Sequence, residues 1–354
     1  MDIAAQALRS GKSLNSAKIM IGDWAAMLSR LDVGKLQGKT VLITGASGLI
    51  GSYLAGPIAL ANREKDLNCR LLCVSRGGAP EALAGLPGIE WLKRDLTQPF
   101  DHDGAVDYII HAACPAQPSL WFANRMMLFD LNITATRHLL ELARRHGASL
   151  LFLSSAEIYG DPPPGTPPLT EEYAGAPLAT ATRAIYGESK RMAEVMAMVY
   201  REDHQVRTIS ARISHLYGPG IGLSDKRVFA DFMRQALSGQ PIRLRDAGRA
   251  TKTLGYVGDA ALMMLNVLLH GGHPIYNIGG VDRIRVVELA REIAALAGGV
   301  EVILPEEASK ERHIGSDAFV TCLDLGRYLG EFGPMAFTDL KSGLGRMIDW
   351  NRHE

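Results

Sequence analysis

Tyr186 and Lys190 stand four residues apart, so a helix would present both side chains on one face. A nearby ammonium, together with the ribose hydroxyls of a bound cofactor, would lower the pKa of the phenol from its usual value of about 10 towards neutrality. Such a phenol can remove a proton from an alcohol while a hydride leaves for a nicotinamide ring. Ser155, at the end of an apolar run earlier in the chain, could hydrogen-bond the same oxygen. Because the spacing is also common on solvated helix faces, this interpretation requires a dinucleotide site elsewhere in the chain.

A glycine-rich turn near the start of the chain fits that requirement. Gly45, Gly48 and Gly51 follow the apolar run 40–43 and open a helical segment. The first glycine permits a tight turn, the second lets the backbone approach a pyrophosphate, and the third lets helix and strand pack closely. The free N–H groups of the helix would face the phosphates. The same predicted cofactor site includes Ser47, Leu49 and Ile50.

The end of the second predicted strand bears on the choice of dinucleotide. An acidic residue at this place normally holds the adenosine ribose of NAD, but here the chain has Ser75 and Arg76. An arginine beside a hydroxyl suits a 2′-phosphate better, which favours NADP over NAD. Stacking of Arg76 on the adenine is the alternative. Asp95 is placed to meet the adenine edge, or else is a surface carboxylate.

Short apolar runs alternate with helical patterns from Lys39 onwards, which predicts an α/β fold with a buried parallel sheet. We expect a Rossmann-type doubly wound parallel sheet with a smaller C-terminal substrate-binding lobe. Residues 1–36 form a helical extension whose apolar stripe, from Met20 to Leu31, would pack on the body or on a second subunit. Residues 37–213 form the dinucleotide-binding domain, with returns around 251–278, and 214–354 mainly the lobe. Pro57 should kink or loosen the first helix of the domain.

Composition excludes several classes of protein. Lys plus Arg and Asp plus Glu both total 38, so no overall charge points to nucleic acid or an anionic membrane. The four cysteines lack a metal-type or paired spacing, which predicts neither a metal site nor disulfides. Cys114 is interpreted as a packing thiol that could lie near the active site. No apolar run approaches the roughly 20 residues of a membrane helix, and no signal-peptide pattern is present, so we expect a cytoplasmic protein.

Together, the glycine turn, Ser155, Tyr186 and Lys190 resemble the extended short-chain dehydrogenase/reductase family, specifically its nucleotide-sugar epimerase/dehydratase branch. The resemblance runs from about Lys39 to Gly333. Residues 111–118 resemble the cofactor-side turn of UDP-glucuronate decarboxylases, and 153–160 and 211–219 resemble the catalytic strand end and the start of substrate recognition. The resemblance implies a nucleotide-diphosphate sugar substrate and a homodimer formed through the helices predicted at 128–146 and 185–201. Further cofactor contacts that it implies are Leu96, Ala112, Ala113 and Ile213.

The resemblance also implies the chemistry. Ser155, Tyr186 and Lys190 would oxidise a sugar hydroxyl, typically at C4, to a ketone. Glu157 stands where dehydratases and decarboxylases have a carboxylate facing C5 and C6, although it could be a structural carboxylate bonded to loop N–H groups. Ala156 replaces the Asp that dehydratases usually have at that place. This small residue suits sugar-nucleotide 4-epimerases better.

Five candidate substrate contacts carry basic groups. His215 replaces an asparagine that contacts the nucleotide or sugar in relatives, or is a core histidine. Lys252 replaces an arginine that grips diphosphate or a hexuronate carboxylate, and a lysine cannot make the bidentate fork. Lys226, Arg227 and Arg312 are candidate diphosphate donors, or ordinary surface charges.

The sequence therefore favours an enzyme with a transient 4-keto sugar, and 4-epimerisation in particular. Decarboxylation of a UDP-hexuronate and 4,6-dehydration of a nucleotide-diphosphate hexose are the next alternatives. A net NADP-dependent ketoreductase is another, supported by Ser75 and Arg76. The non-enzymatic alternative is a dinucleotide-binding regulatory protein, against which the intact Ser155, Tyr186 and Lys190 argue.

Overall fold

The computed structural model describes residues 14–115, 117, 120–121, 124–163, 165–175, 177–305 and 322–353. In this part of the chain, seven strands form a parallel sheet in the order β10-β6-β5-β4-β1-β2-β3. The direction of the strand order reverses between β1 and β4, which is where ligands bind in open α/β sheets. The strands are β1 (Thr40–Thr44), β2 (Arg70–Ser75), β3 (Ile89–Lys93), β4 (Tyr108–His111), β5 (Ser149–Ser155), β6 (Thr208–Ile213) and β10 (Ile275–Ile278).

Helices cover both faces of this sheet, which explains why its strands are continuous apolar runs. Val41 and Ile43 of β1 face one hydrophobic cluster and Leu42 faces the other, because successive side chains alternate across a strand. The helices are α1 (Leu14–Leu28), α2 (Leu49–Glu64), α3 (Arg125–Phe129), α4 (Ala135–His146), α5 (Ala184–His204), α6 (Val228–Leu237), α7 (Val257–His270), α8 (Val286–Leu296), α9 (Gly326–Phe332) and α10 (Leu340–Arg352).

The C-terminal lobe has a hydrophobic cluster of its own, to which α6, α8 and α10 contribute Phe229, Leu289 and Met347. Within the described residues the lobe contains a three-stranded sheet in the order β11-β9-β7 and a two-stranded sheet of β12 and β8. The strands are β7 (His215–Tyr217), β8 (Ile242–Arg243), β9 (Thr251–Tyr256), β11 (Asp282–Arg285) and β12 (Val302–Ile303).

Residues 14–36 of the N-terminal extension pack against the body, which is one of the two alternatives that their apolar stripe left open, and residues 1–13 lie outside the described residues. Trp24 of α1 is fully buried and lies against α2 at Gly56, where a Cβ would collide with the indole. Asp23 is buried beside it and accepts hydrogen bonds from the hydroxyls of Tyr53 and Tyr256, at 2.7 and 2.6 Å. We call residues 14–36 the N-terminal strap because they contact both the cofactor-side helix α2 and the lobe strand β9.

One helix prediction needs correction, and the kink at Pro57 stays a prediction. The helix α2 continues through Pro57 as one element, and Pro57 is itself buried within it. The helix predicted over 128–146 is interrupted, since a π-helical turn over Asp130–Thr134 separates α3 from α4. The helix predicted over 185–201 lies within α5. No helix in the described ranges is long and apolar enough to cross a membrane, and no group of three or more potential metal ligands occurs there.

Candidate active site

The glycine turn after β1 has the shape that a dinucleotide pyrophosphate needs. Gly45 has a φ of +66°, and a Cβ there would lie 2.8 Å from the backbone of Ala112 and Ala113. At Gly51 a Cβ would collide with the carbonyl oxygen of Gly45. Gly48 caps α2, whose first N–H groups therefore point into the turn without side chains in the way. Ser47 and Gly48 are exposed at the tip, and Leu49 and Ile50 are half-buried.

A buried histidine joins this turn to the end of β4. His111 Nε2 lies 2.9 Å from the carbonyl oxygen of Leu131, which can only accept, so Nε2 carries the hydrogen. His111 Nδ1 then accepts from the Thr44 hydroxyl at 2.7 Å, and that hydroxyl accepts from the N–H of Ala113. Burial, with the charge of Lys190, lowers the pKa of His111 to about 4. The imidazole ring is therefore neutral at physiological pH. Through Thr44 it holds together the turn after β1 and the turn after β4.

At the end of β2 the predicted ribose contacts are close together. The Ser75 hydroxyl donates to the carbonyl of Gly78 at 3.1 Å and accepts from its N–H at 3.0 Å, so it closes a turn. Arg76 is exposed. Asp95 accepts from the N–H and hydroxyl of Thr97, and these bonds, with the charge of Arg76, lower its pKa. Leu96, which directly follows Asp95, is buried.

The helix α5 brings Tyr186 and Lys190 together with Ser155. Lys190 is buried, donates to the carbonyl of Leu153 at 2.6 Å and lies 5.9 Å from the ring centre of Tyr186. Burial raises the pKa of Tyr186, and the hydrogen bond with Ser155 opposes that rise. The lowered pKa expected from the sequence depends also on the ribose hydroxyls of a bound dinucleotide, and it stays a prediction for the complex. Burial also lowers the pKa of Lys190.

Aromatic and thiol groups that the sequence did not predict surround the phenol. The indole of Trp121 stacks on Tyr186, and its Nε1 donates to the carbonyl of Pro115 at 2.8 Å. Cys114 packs in the same small cluster, so this thiol does lie at the site. Asn132, in the π-helical turn, donates to the Ser189 hydroxyl at 3.0 Å. The periodicity of apolar residues does not predict a π-helical turn such as this one beside the helix of Tyr186.

The predicted carboxylate belongs to an ion pair. Glu157 lies in the 3-10 turn Ala156–Tyr159, and its N–H donates to the Ser155 hydroxyl at 3.2 Å. Both of its carboxylate oxygens accept from Nη2 of Arg183, at 2.9 and 3.0 Å. The sequence did not single out Arg183, which directly precedes α5.

The lobe places further basic groups around this pair. Burial lowers the pKa of Lys252 on β9, while Glu157 opposes and Arg183 adds to that effect. His215 on β7 is solvent-accessible, but desolvation within the cleft and the charges of Lys252, Arg227 and Arg183 lower its pKa to about 4. His215 is therefore neutral at physiological pH. Glu157, Arg183, His215 and Lys252 thus form one electrostatically coupled group, which we call the Glu157 cluster.

The other predicted contacts differ in their surroundings. Arg227 pairs with Asp225 through Nε and Nη2, and its Nη1 donates to the carbonyl of Leu216. Gln117 also donates to Asp225, at 3.2 Å. Lys226 is exposed, Ile213 ends β6 beside Ser155, and Arg312 lies outside the described residues.

Comparison with known proteins gives consistent matches. A model of the NAD dependent epimerase/dehydratase family matches residues 41–279. The chain is 31% identical over 256 residues to UDP-glucuronic acid decarboxylase 6 of Arabidopsis thaliana, covering 72% of this chain and 74% of that protein. It is 33% identical over 279 residues to UDP-glucuronic acid decarboxylase 1 of Xenopus tropicalis, covering 77% of this chain and 64% of that protein.

Solved structures share the fold at lower identity. A UDP-glucose 4-epimerase of Thermotoga maritima superposes with a TM-score of 0.74 at 19% identity, covering 88% of this chain and 98% of that chain. A dTDP-glucose 4,6-dehydratase of Bacillus anthracis, solved with NAD, gives a TM-score of 0.70 at 22% identity, covering 89% and 96%.

Proposed function

Since this chain belongs to the NAD-dependent epimerase/dehydratase family, we propose that it oxidises the C4 hydroxyl of a nucleotide-diphosphate sugar and later reduces the same carbon. The chain is an enzyme of this family. The observation that carries the proposal is the convergence of Ser155, Tyr186 and Lys190 beside the glycine turn at the switch point of the sheet. The fold alone would not support it, because related folds serve many functions.

The residues divide the proton chemistry between them. The Ser155 hydroxyl hydrogen-bonds the reacting sugar oxygen and Tyr186 takes its proton, while Lys190 supplies positive charge beside the phenol. A bound nicotinamide dinucleotide supplies the hydride acceptor, and in its oxidised form a positive charge that favours the phenolate. Tyr186 returns the proton when the ketone is reduced. Trp121 covers the ring of Tyr186 and excludes water from it.

We further propose a UDP-hexuronate as the substrate. The relatives at 31–33% identity are named as UDP-glucuronic acid decarboxylases. Within the Glu157 cluster the two basic side chains of Arg183 and Lys252 outnumber the single carboxylate, even without a charge on His215. An anionic substituent on the sugar is electrostatically favoured there.

A 4-ketone lies β to the C6 carboxylate of a hexuronate, which makes decarboxylation the favoured second step. Breaking the C5–C6 bond releases carbon dioxide and leaves the electron pair in an enolate across C4 and C5. A proton then adds to C5, and hydride return at C4 restores the alcohol. 4-Epimerisation is the second candidate, and Ala156 is the residue that favours it.

For the cofactor we propose NAD rather than NADP. The Ser75 hydroxyl is bonded to Gly78 on both sides, so it is not a free donor for a 2′-phosphate. The Arg76 guanidinium lies close enough to Asp95 to lower the pKa of that carboxyl group. The negative charge of Asp95 in turn offsets the attraction of Arg76 for a phosphate. The sequence favours NADP instead, and that preference stays a prediction. Titration of the protein with each dinucleotide decides between the two.

We also propose a homodimer formed through α3 and α5. These helices contact each other and expose large apolar side chains on the same side of the sheet. The three on α5 recur at helical spacing, as in a packed helix face. The exposed residues are Met126, Phe129, Met192, Val195 and Val199.

Incubation of the purified enzyme with UDP-glucuronate in D₂O, followed by mass spectrometry, tests the substrate and the second step. Decarboxylation removes carbon dioxide and adds deuterium at C5, whereas 4-epimerisation leaves the mass unchanged. The Tyr186→Phe variant serves as the control and should be inactive. Turnover of neutral UDP-hexoses with none of UDP-glucuronate would contradict the hexuronate proposal.

A further inference from the structure

Arg183 shares one helix face with the catalytic pair. Arg183, Tyr186 and Lys190 follow each other at intervals of three and four residues, which places them on one side of a helix. Arg183 already has helical backbone angles, with φ −66° and ψ −27°. Its side chain reaches the carboxylate of Glu157, which comes from a different element. Arg183 therefore links the helix of Tyr186 directly to the carboxylate of Glu157, while Arg191 of the same helix donates to the backbone carbonyl of Ile158 in that turn.

The backbone of Glu157 is fixed by two other contacts. Its N–H donates to Ser155, and its carbonyl oxygen faces Gly187, where a Cβ would lie only 2.9 Å away. The helix α5 can approach this turn so closely because Gly187 has no side chain. With the backbone fixed, the direction of the Glu157 carboxylate depends on its side-chain torsions, and Arg183 holds those.

The ion pair of Arg183 and Glu157 is accessible to solvent, and the hydrogen-bonding groups of Arg183 are only partly used. The side chains of Arg183 and Glu157 are 38% and 33% exposed. A single nitrogen, Nη2, contacts both carboxylate oxygens, and Nε is buried without a partner among the described residues. An ion pair so accessible adds little to stability. The consequence of this ion pair, which lies beside Tyr186, is therefore the orientation of its side chains rather than the stability of the fold.

We propose that Arg183 is a positioning residue that orients the Glu157 carboxylate beside Tyr186, so that both groups meet the same sugar. The proposal rests on the proposed function, together with the position facing C5 and C6 that the family resemblance implies for Glu157. Arg183 acts through Glu157 and does not itself need to contact the sugar. Misplacement of a catalytic group by about 1 Å can reduce the rate by roughly a hundredfold.

A double-mutant cycle tests this dependence. Arg183→Gln should lower kcat about 10- to 100-fold with less than about a threefold change in KM, and Arg183→Lys should recover part of the loss. In a Glu157→Gln background the same Arg183→Gln change should have no further effect, because the group it orients has gone. A rise in KM that persists in that background would instead make Arg183 a direct substrate contact and overturn the proposal.

A matched control exists in the pair of Arg144 and Glu141, which is 45% and 41% exposed and lies on α4. Arg144→Gln should leave kcat, KM and thermal stability unchanged. A readout without turnover comes from crystal structures of the two glutamine variants. The Glu157 carboxylate should leave its position in Arg183→Gln and keep it in Arg144→Gln. An unmoved carboxylate in Arg183→Gln would overturn the proposal whether or not UDP-glucuronate is the substrate.

Discussion

The indole of Trp121 lies face to face with the ring of Tyr186, with ring centres 4.0 Å apart and planes 11° from parallel. Stacked pairs of this kind contribute about 0.5–1.5 kcal/mol beyond their buried area. Here the stack also shields the phenol of Tyr186 from water, because both rings are buried. Trp121 comes from the segment after β4, so the cofactor-side turn and the catalytic helix meet at this contact.

Removing the indole should therefore affect catalysis. Trp121→Ala is expected to lower kcat by roughly tenfold, the equivalent of about 1.4 kcal/mol, because Tyr186 loses its orientation and water reaches the site. Trp121→Phe keeps a stacking ring and should retain most of the rate. Steady-state kinetics of both variants check this, with Trp91→Phe on β3 as the control. Equal kcat and KM in Trp121→Ala and the wild type would show that the stack has no catalytic role.

The N-terminal strap should contribute to global stability through Trp24. A Cβ at Gly56 would collide with the indole, so Gly56→Ala should lower the free energy of unfolding by about 1–3 kcal/mol. Gly22→Ala is the control, because a Cβ at Gly22 in α1 meets nothing within 4 Å. Urea unfolding measures both. If Gly56→Ala were as stable as Gly22→Ala, the strap would not be packed on α2 in solution.

The buried His111 should make stability depend on pH. Its pKa is about 4 in the folded protein and about 6.5 when unfolded, so the unfolded state binds more protons between these values. Its contribution is complete above pH ~6.5 and is lost as the pH falls towards 4. From pH 8 to pH 5 we expect a loss of roughly 2 kcal/mol from this residue.

A comparison with His111→Gln checks that dependence. The variant should be less stable at pH 8, since the links to Thr44 and Leu131 are weakened. It should also show a shallower decline between pH 6.5 and 5. Parallel stability curves for the two proteins would mean that His111 does not carry the effect.

The apolar face of α5 should be the dimer interface. Val195→Glu is expected to convert the dimer into monomers, because a buried charge without a partner is costly. Val281→Glu is a matched control, since Val281 is 54% exposed and Val195 53%, but Val281 lies between β10 and β11. Light scattering after size exclusion measures the mass. A wild type that is monomeric at all concentrations, or dimeric Val195→Glu protein, would exclude this interface.

Sequence reasoning predicted the geometry of residues that are neighbours in the chain. The glycines at 45, 48 and 51 lie at one turn and the start of the helix after it, and Tyr186 and Lys190 lie on one helix, so spacing predicts their relative positions. The parallel sheet follows from runs of apolar residues for the same reason.

Contacts between distant segments could not be read in this way. Arg183 meets Glu157 because Gly187 lets α5 lie against the turn, and Tyr256 meets Asp23 across 233 residues. Burial raises the pKa of Tyr186 in the protein without a dinucleotide, and the sequence shows the nearby lysine but not the depth of that burial. The π-helical turn that holds Asn132 has the same periodic apolar pattern as an uninterrupted helix.

The most direct test of the central claim uses UDP-glucuronate carrying deuterium at C4, with the enzyme and a limiting amount of dinucleotide. Oxidation and return of hydride at C4 predict many turnovers per dinucleotide and a product that keeps the deuterium at C4. The Tyr186→Phe variant should lose at least about a hundredfold in rate. A product without the deuterium, or consumption of one dinucleotide for each product formed, would contradict the transient 4-keto cycle and indicate a net oxidoreductase.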